Sequence, residues 1–196
     1  MLNLETPEYI ANLRNGINNL AKGVLRPIAR KYDEEEHTYP KELDMFRGMQ
    51  ILGKPKKKKK EGDDKPAADT GNGKPKKGMN LSTVAVIEEM CWGDAGLLLS
   101  IPNAGLGNAA IAAVATEEQM ERFGTMWAAM AITEPGSGSD SGSITTTAVL
   151  DGDEWVLNGE KIFVTCADRC DCVVVWATVD KKAGKSGIKS FIVEKN

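Results

Sequence analysis

Apolar residues at Ile10, Leu13, Ile17, Leu20, Val24 and Ile28 recur in steps of three and four. That spacing predicts an amphipathic helix burying one stripe. Thr6 is placed to cap it, and Pro7 suits the first turn, where a missing N–H costs nothing. Pro27 predicts a kink, because it removes a hydrogen bond and its ring crowds the preceding turn. A second helix is expected from Lys41 to Leu52, after Pro40. Helical spacing returns with Leu81, Val84, Ile87, Met90 and Cys91 on one face and Asn80 or Ser82 as cap. Glu88 and Glu89 read as a solvated pair on that helix. A short apolar helix is expected from Ala95 to Ile101, punctuated by Pro102, Gly105 and Gly107. Small residues from Asn108 to Ala115 suit close helix packing. A last short helix spans Glu117 to Phe123, with Gly124 as its stop.

Beyond Gly124 the period shortens. An apolar strand runs into Thr133-Glu134-Pro135, and β-rich runs follow at 145–150, 154–157, 161–165, 172–179 and 188–193. Asp151-Gly152 and Asn158-Gly159 between such runs are hairpin signals. Helices first and a sheet afterwards predict an α+β fold. The expected layout is an N-terminal α-helical domain over 1–125, then an antiparallel sheet domain over 126–196.

Composition interrupts this pattern once. Lys54 to Gly78 carries ten lysines against four acids, with three prolines and four glycines. Such a segment buries too little to offset the entropy of ordering it, so a disordered insert is expected. Its local charge is +6 within a chain of net −3, which leaves about −9 elsewhere. The whole molecule therefore has no electrostatic reason to bind nucleic acid. No run of about 18 apolar residues predicts a membrane span. No signal peptide is evident at the N-terminus, and cytoplasmic localisation is expected. Cys91, Cys166, Cys170 and Cys172 are then free thiols. The Cys-x3-Cys-x-Cys spacing of the last three does not suit zinc, and no metal site is expected.

The segment Ala131 to Ser143, AITEPGSGSDSGS, carries the most chemistry. Gly136, Gly138 and Gly142 allow close backbone approach, and successive amides in such a loop can converge on an anion. Ser137, Ser139 and Ser141 add hydroxyl donors. The loop suits a phosphate or pyrophosphate, or else it is a polar linker. It is neither a Walker loop nor a dinucleotide fingerprint, because no Gly-Lys-Ser/Thr follows and strands, not a helix, come next.

Order adds what composition cannot. Thr133-Glu134-Pro135-Gly136-x-Gly138-Ser139-Asp140 is followed by Asn158-Gly159-Glu160-Lys161-Ile162-Phe163-Val164-Thr165, then by Phe191-Ile192-Val193-Glu194. With the stretch VIEEMCWGDAGL at 86–97, these blocks resemble the acyl-CoA dehydrogenase family over essentially the whole chain outside the lysine-rich insert. The resemblance implies a helical domain, a β-barrel-like middle domain and a C-terminal helical bundle, with FAD between the last two. It implies flavin contacts from Ile132 and the Thr133 hydroxyl, and pyrophosphate contacts from Gly138 and Ser139. Phe163 matches an aromatic plate against the isoalloxazine, and Thr165 a donor near flavin N5. Ser139 and Lys185 match positions facing the acyl-CoA thioester and its pantetheine.

The implied reaction is α,β-dehydrogenation of an acyl-CoA, with electrons passing to electron-transfer flavoprotein or a similar acceptor. A homo-oligomer is expected when full length. The family's catalytic glutamate lies in the bundle, so no catalytic residue is assigned here and the chain is expected to be an N-terminal portion. Glu134 reads as a buried or capping acid, not a base. Two other readings stay open: a non-catalytic flavin or acyl-CoA-binding subunit completed by a partner chain, and an interaction protein acting through the lysine-rich loop.

Overall fold

The computed structural model describes residues 6–47, 79–102 and 105–195. The lysine-rich segment lies outside them, as do the final residues of the helix expected up to Leu52. The described residues fall into two compact units, one of residues 6–45 and 79–99, the other of 46–47, 100–102 and 105–195.

The first unit is helical. Helix α1 spans Glu8–Leu20, a wide π turn spans Ala21–Leu25, and α2 spans Arg26–Glu34. Pro7 is itself the N-cap of α1, and no side chain caps that end. The π turn lies immediately before Pro27, whose ring would otherwise collide with a carbonyl one turn back. Ile10, Ala21 and Leu25 are buried, while the rest of the expected stripe is half-buried. Lys41–Phe46 forms a 3-10 helix where an α-helix was expected. Helix α3 spans Met79–Gly93 and α4 spans Ala95–Leu99, its start capped by Asp94, whose Oδ1 accepts the Leu97 amide at 2.7 Å.

The buried face of α3 differs from the expected one. Leu81, Val84 and Cys91 are exposed, while Ala85, Glu89 and Met90 are buried. The reason is close approach. A Cβ added at Gly93 would lie 3.0 Å from the Cβ atoms of both Ala21 and Leu25, so only small residues fit this contact. Apolar spacing marks a stripe but cannot say which stripe meets a neighbour. Glu89 is consequently not solvated: Arg14 Nε donates to it at 2.8 Å and Asn18 Nδ2 at 2.7 Å, both from α1.

The second unit sets two helices on a sheet. Helix α5 spans Leu106–Val114 and α6 spans Glu117–Phe123. Thr116 and Gln119 form a reciprocal cap on α6, satisfying two otherwise orphaned donors. The strands are β1 (Ala128–Ala131), β2 (Thr147–Asp151), β3 (Glu154–Asn158), β4 (Cys172–Thr178) and β5 (Ile188–Glu194). Gly107 lets α5 lie directly on β1, since a Cβ there would sit 2.3 Å from the Ala129 carbonyl oxygen. Asn108 then satisfies the strand, donating to Met126 O at 2.7 Å and accepting from Ala128 N at 2.9 Å. Ile111, Ala128, Cys172 and Val174 form the core beneath.

The sheet is open and mixed, not purely antiparallel. Strands β2 and β3 pair antiparallel across the Asp151-Gly152 turn, and β4 pairs antiparallel with β5. Strand β1 runs parallel to β4, and β2 meets β4 in parallel at Thr147–Thr178. Turn signals orient only consecutive strands; the β2–β3 hairpin separates β1 from β4 and lets the chain return to the same starting end. The run 161–165 is not a strand. Positive φ at Phe163 (57°) and Cys166 (60°) is incompatible with continuing a ladder.

Candidate functional site

The glycine–serine loop begins with a tight turn. Glu134 and Ser137 exchange backbone hydrogen bonds at 3.0 and 3.1 Å around Pro135-Gly136. Ser137 Oγ donates to Asp140 O, and Ser141–Ser143 forms a 3-10 turn. Gly138 and Ser139 are exposed, and among the described residues their amides find no backbone acceptor.

The carboxylate of Glu134 points inward, where its side chain is 3% exposed. Oε2 accepts from Thr145 N (2.6 Å) and Thr145 Oγ1 (2.7 Å). Oε1 accepts from Thr146 N (2.9 Å) and from Lys161 Nζ (2.8 Å), itself 9% exposed. Burial by itself pushes this carboxyl up, but the Lys161 ammonium and the donors of Thr146 and Thr145 outweigh it. Glu134 is thereby held well below the usual carboxylate range. Both its oxygens are engaged, so it has neither the basicity nor a free lone pair for proton abstraction.

Lys161 also donates to Ile132 O at 3.0 Å, and the next residue's amide, Ile162 N, donates to Thr133 O at 2.9 Å. The strand end at 132–133 and the segment 161–165 therefore lie side by side. Gly159 precedes that segment at φ 155°, pressed on Thr146: a Cβ there would meet Thr146 Oγ1 at 2.4 Å. Phe163 projects into solvent, 86% exposed at a left-handed φ, which a bulky residue adopts only when its surroundings impose it. Thr165 is exposed in the turn that follows. Ile132 and Thr133 are half-buried.

Lys185 lies in the 3-10 segment Lys181–Gly187, with its alkyl stem against the loop; a Cβ at Gly142 would be 2.8 Å from Lys185 Cε. The expected site residues thus gather on two neighbouring features, the 132–142 loop and the 161–165 segment, with Lys185 beside the first. Lys161 was given no role by the sequence. Its signal was a charge at the head of the apolar run Ile162-Phe163-Val164. A cleft of about 350 Å³ opens elsewhere in this unit, between α5, α6 and the pair Trp155–Phe191; its lining has no charged side chain. Among the described residues no helix is long and apolar enough to cross a membrane.

The family model described as "Acyl-CoA dehydrogenase, N-terminal domain" matches residues 7–131, and "Acyl-CoA dehydrogenase, middle domain" matches residues 129–196. The chain belongs to the acyl-CoA dehydrogenase family. It is 42% identical over 125 residues to the caffeyl-CoA reductase-Etf complex subunit CarC of Acetobacterium woodii, covering 60% of this chain and 33% of that protein. It is 31% identical over 191 residues to the short-chain specific acyl-CoA dehydrogenase of Clostridium acetobutylicum, covering 93% of this chain and 47% of that one. The solved butyryl-CoA dehydrogenase of Megasphaera elsdenii superposes with a TM-score of 0.74 at 25% identity, covering 100% of this chain and 50% of that chain. The chain thus spans between a third and a half of these relatives.

Proposed function

We propose that this chain supplies one wall of the FAD site, and part of the thioester site, of an enzyme that interconverts saturated and α,β-unsaturated acyl-CoA. The observation that carries the reading is the junction of two segments: Thr133 O accepts Ile162 N, while Lys161 ties Ile132 O to the Glu134 carboxylate. The residues fit the cofactor. Phe163 offers an exposed aromatic face, and the exposed Gly138 and Ser139 amides are free to receive a pyrophosphate. In this reading Ile132 and Thr133 meet the flavin edge, Phe163 stacks on the ring, and Thr165 donates beside N5. Ser139 and Lys185 orient the thioester and its pantetheine arm. FAD, when bound, provides the two-electron acceptor; the chain's part is to fix donors where negative charge grows, so that none need reorganise during reaction. The proposed layout is a helical domain over 1–125 and the start of a middle domain over 126–196.

Electron-transfer flavoprotein is the proposed acceptor, consistent with a relative named as a subunit of an Etf complex. That relative is a reductase, and its 42% identity favours a second reading in which the working direction is reduction of an unsaturated acyl-CoA. Titrating the purified chain with FAD, followed by flavin fluorescence, tests the wall. Saturable quenching is expected, weakened roughly ten-fold in Phe163→Ala by loss of stacking. Quenching that never saturates would overturn it. Anaerobic addition of a saturated acyl-CoA to FAD-loaded full-length protein, which would include the bundle's glutamate, tests the chemistry; unchanged flavin absorbance with every chain length would reject dehydrogenation.

A further inference from the structure

Segment 161–165 carries two of the proposed flavin contacts, yet belongs to no strand. Few interactions hold it at its start. Ile162 N makes a single bond to Thr133 O, and Lys161 reaches inward to Ile132 O and Glu134. Consecutive carbonyls, those of Ile132 and Thr133, are therefore gripped by consecutive residues, Lys161 and Ile162. The same glutamate closes the other side by accepting both amides at Thr145 and Thr146, which lead into β2. One carboxylate thus joins three stretches of chain that are distant in sequence. Downstream, Phe163 and Cys166 both stand at positive φ, conformations that persist only when neighbouring contacts over-determine them.

A buried ion pair is a poor device for stability alone, because the desolvation of two charges consumes most of the attraction and an apolar pair of equal volume often does as well. What a charged, multiply bonded pair adds is a defined geometry. We infer that Glu134 and Lys161 act as positioning residues, setting the spacing between the Ile132–Thr133 backbone and the Phe163–Thr165 segment at which flavin is gripped. The inference rests on the FAD-binding reading above and assigns neither residue to catalysis.

The deciding variant is the double substitution Glu134→Gln/Lys161→Met. It keeps both side-chain shapes and leaves no orphaned buried ion, so it is expected to fold where either single change leaves one charge unpaired. The chain with natural residues is titrated first. Failure to bind FAD at that stage defeats the flavin reading itself, before any variant is made, and this inference with it. Given binding, the double variant should keep its far-UV circular dichroism, lose FAD affinity by roughly ten-fold or more, and shift the absorption bands of bound flavin. A folded double variant that binds FAD within about two-fold of the parent, with unshifted bands, overturns the positioning role. A double variant that does not fold overturns it equally, because the pair is then a stability element.

Discussion

Glu89 in the helical unit and Glu134 in the sheet unit are the two buried carboxylates among the described residues. They are held by different means. Glu89 lies between two helices and takes its donors from α1, where the partner Arg14 is 39% exposed and also pairs with Glu88 at 3.1 Å. Arg14 first, then Asn18, keep Glu89 below the usual carboxylate range, with burial opposing them. Glu134 has an almost wholly enclosed lysine and three further donors from Thr145 and Thr146. One contact closes the flank of a helix pair and stays open to water. The other fixes irregular backbone where no ladder exists. Regular elements satisfy their own backbone, so a polar side chain is an accessory there, whereas in a loop it takes over the task of the missing ladder.

The largest test of this contrast is Glu134→Ala. Removing one member of the enclosed pair strands Lys161, and a stability loss of about 3–5 kcal/mol is expected in urea denaturation. A loss no greater than that at Glu89 would erase the distinction. Acid should report the same difference. Because the folded-state pKa of Glu134 is depressed, its contribution is complete above the ordinary carboxylate range, at about pH 4, and drains as pH falls through and below it. Thermal melts from neutral pH downward should therefore show a steeper acid limb in the parent than in Glu134→Gln. A smaller effect is expected from Glu89→Gln, about 2 kcal/mol, since the neutral amide weakens two charge-assisted bonds at a partly wetted site.

The smallest effect concerns thiols and leaves stability untouched. Burial pushes Cys172 up to about 11 and raises Cys166 as well, while Cys91 on α3 is exposed. Iodoacetamide at neutral pH, read by mass spectrometry, should label Cys91 and spare Cys166, Cys170 and Cys172 until the sheet unit unfolds. Early labelling of Cys172 would show that this unit opens more readily than its packing implies.

Much of the architecture was legible before any coordinates. The first helix, the short helices ending at Phe123, the Asp151-Gly152 hairpin and the order of helices before sheet all follow from local periodicity and turn chemistry. So does the irregular backbone after Thr133, which glycines and serines following a strand mark as a loop. Three features were not legible. The buried face of α3 depends on which helix lies beside Gly93. Segment 161–165 is as rich in β-branched and aromatic residues as a strand, but left-handed backbone at Phe163 and an inward Lys161 take it out of the sheet. The parallel pairing of β1 with β4 depends on the path of an intervening hairpin.

By itself, the order of residues determined the kinds of element, their turns and the family's linked motifs, since each reports on neighbours a few positions apart. The tertiary structure alone decided that Glu89 is enclosed, that Glu134 meets Lys161, and that Thr133 and Ile162 share a hydrogen bond. Charges and carbonyls distant along the chain acquire partners only when packing removes the water that would otherwise satisfy them.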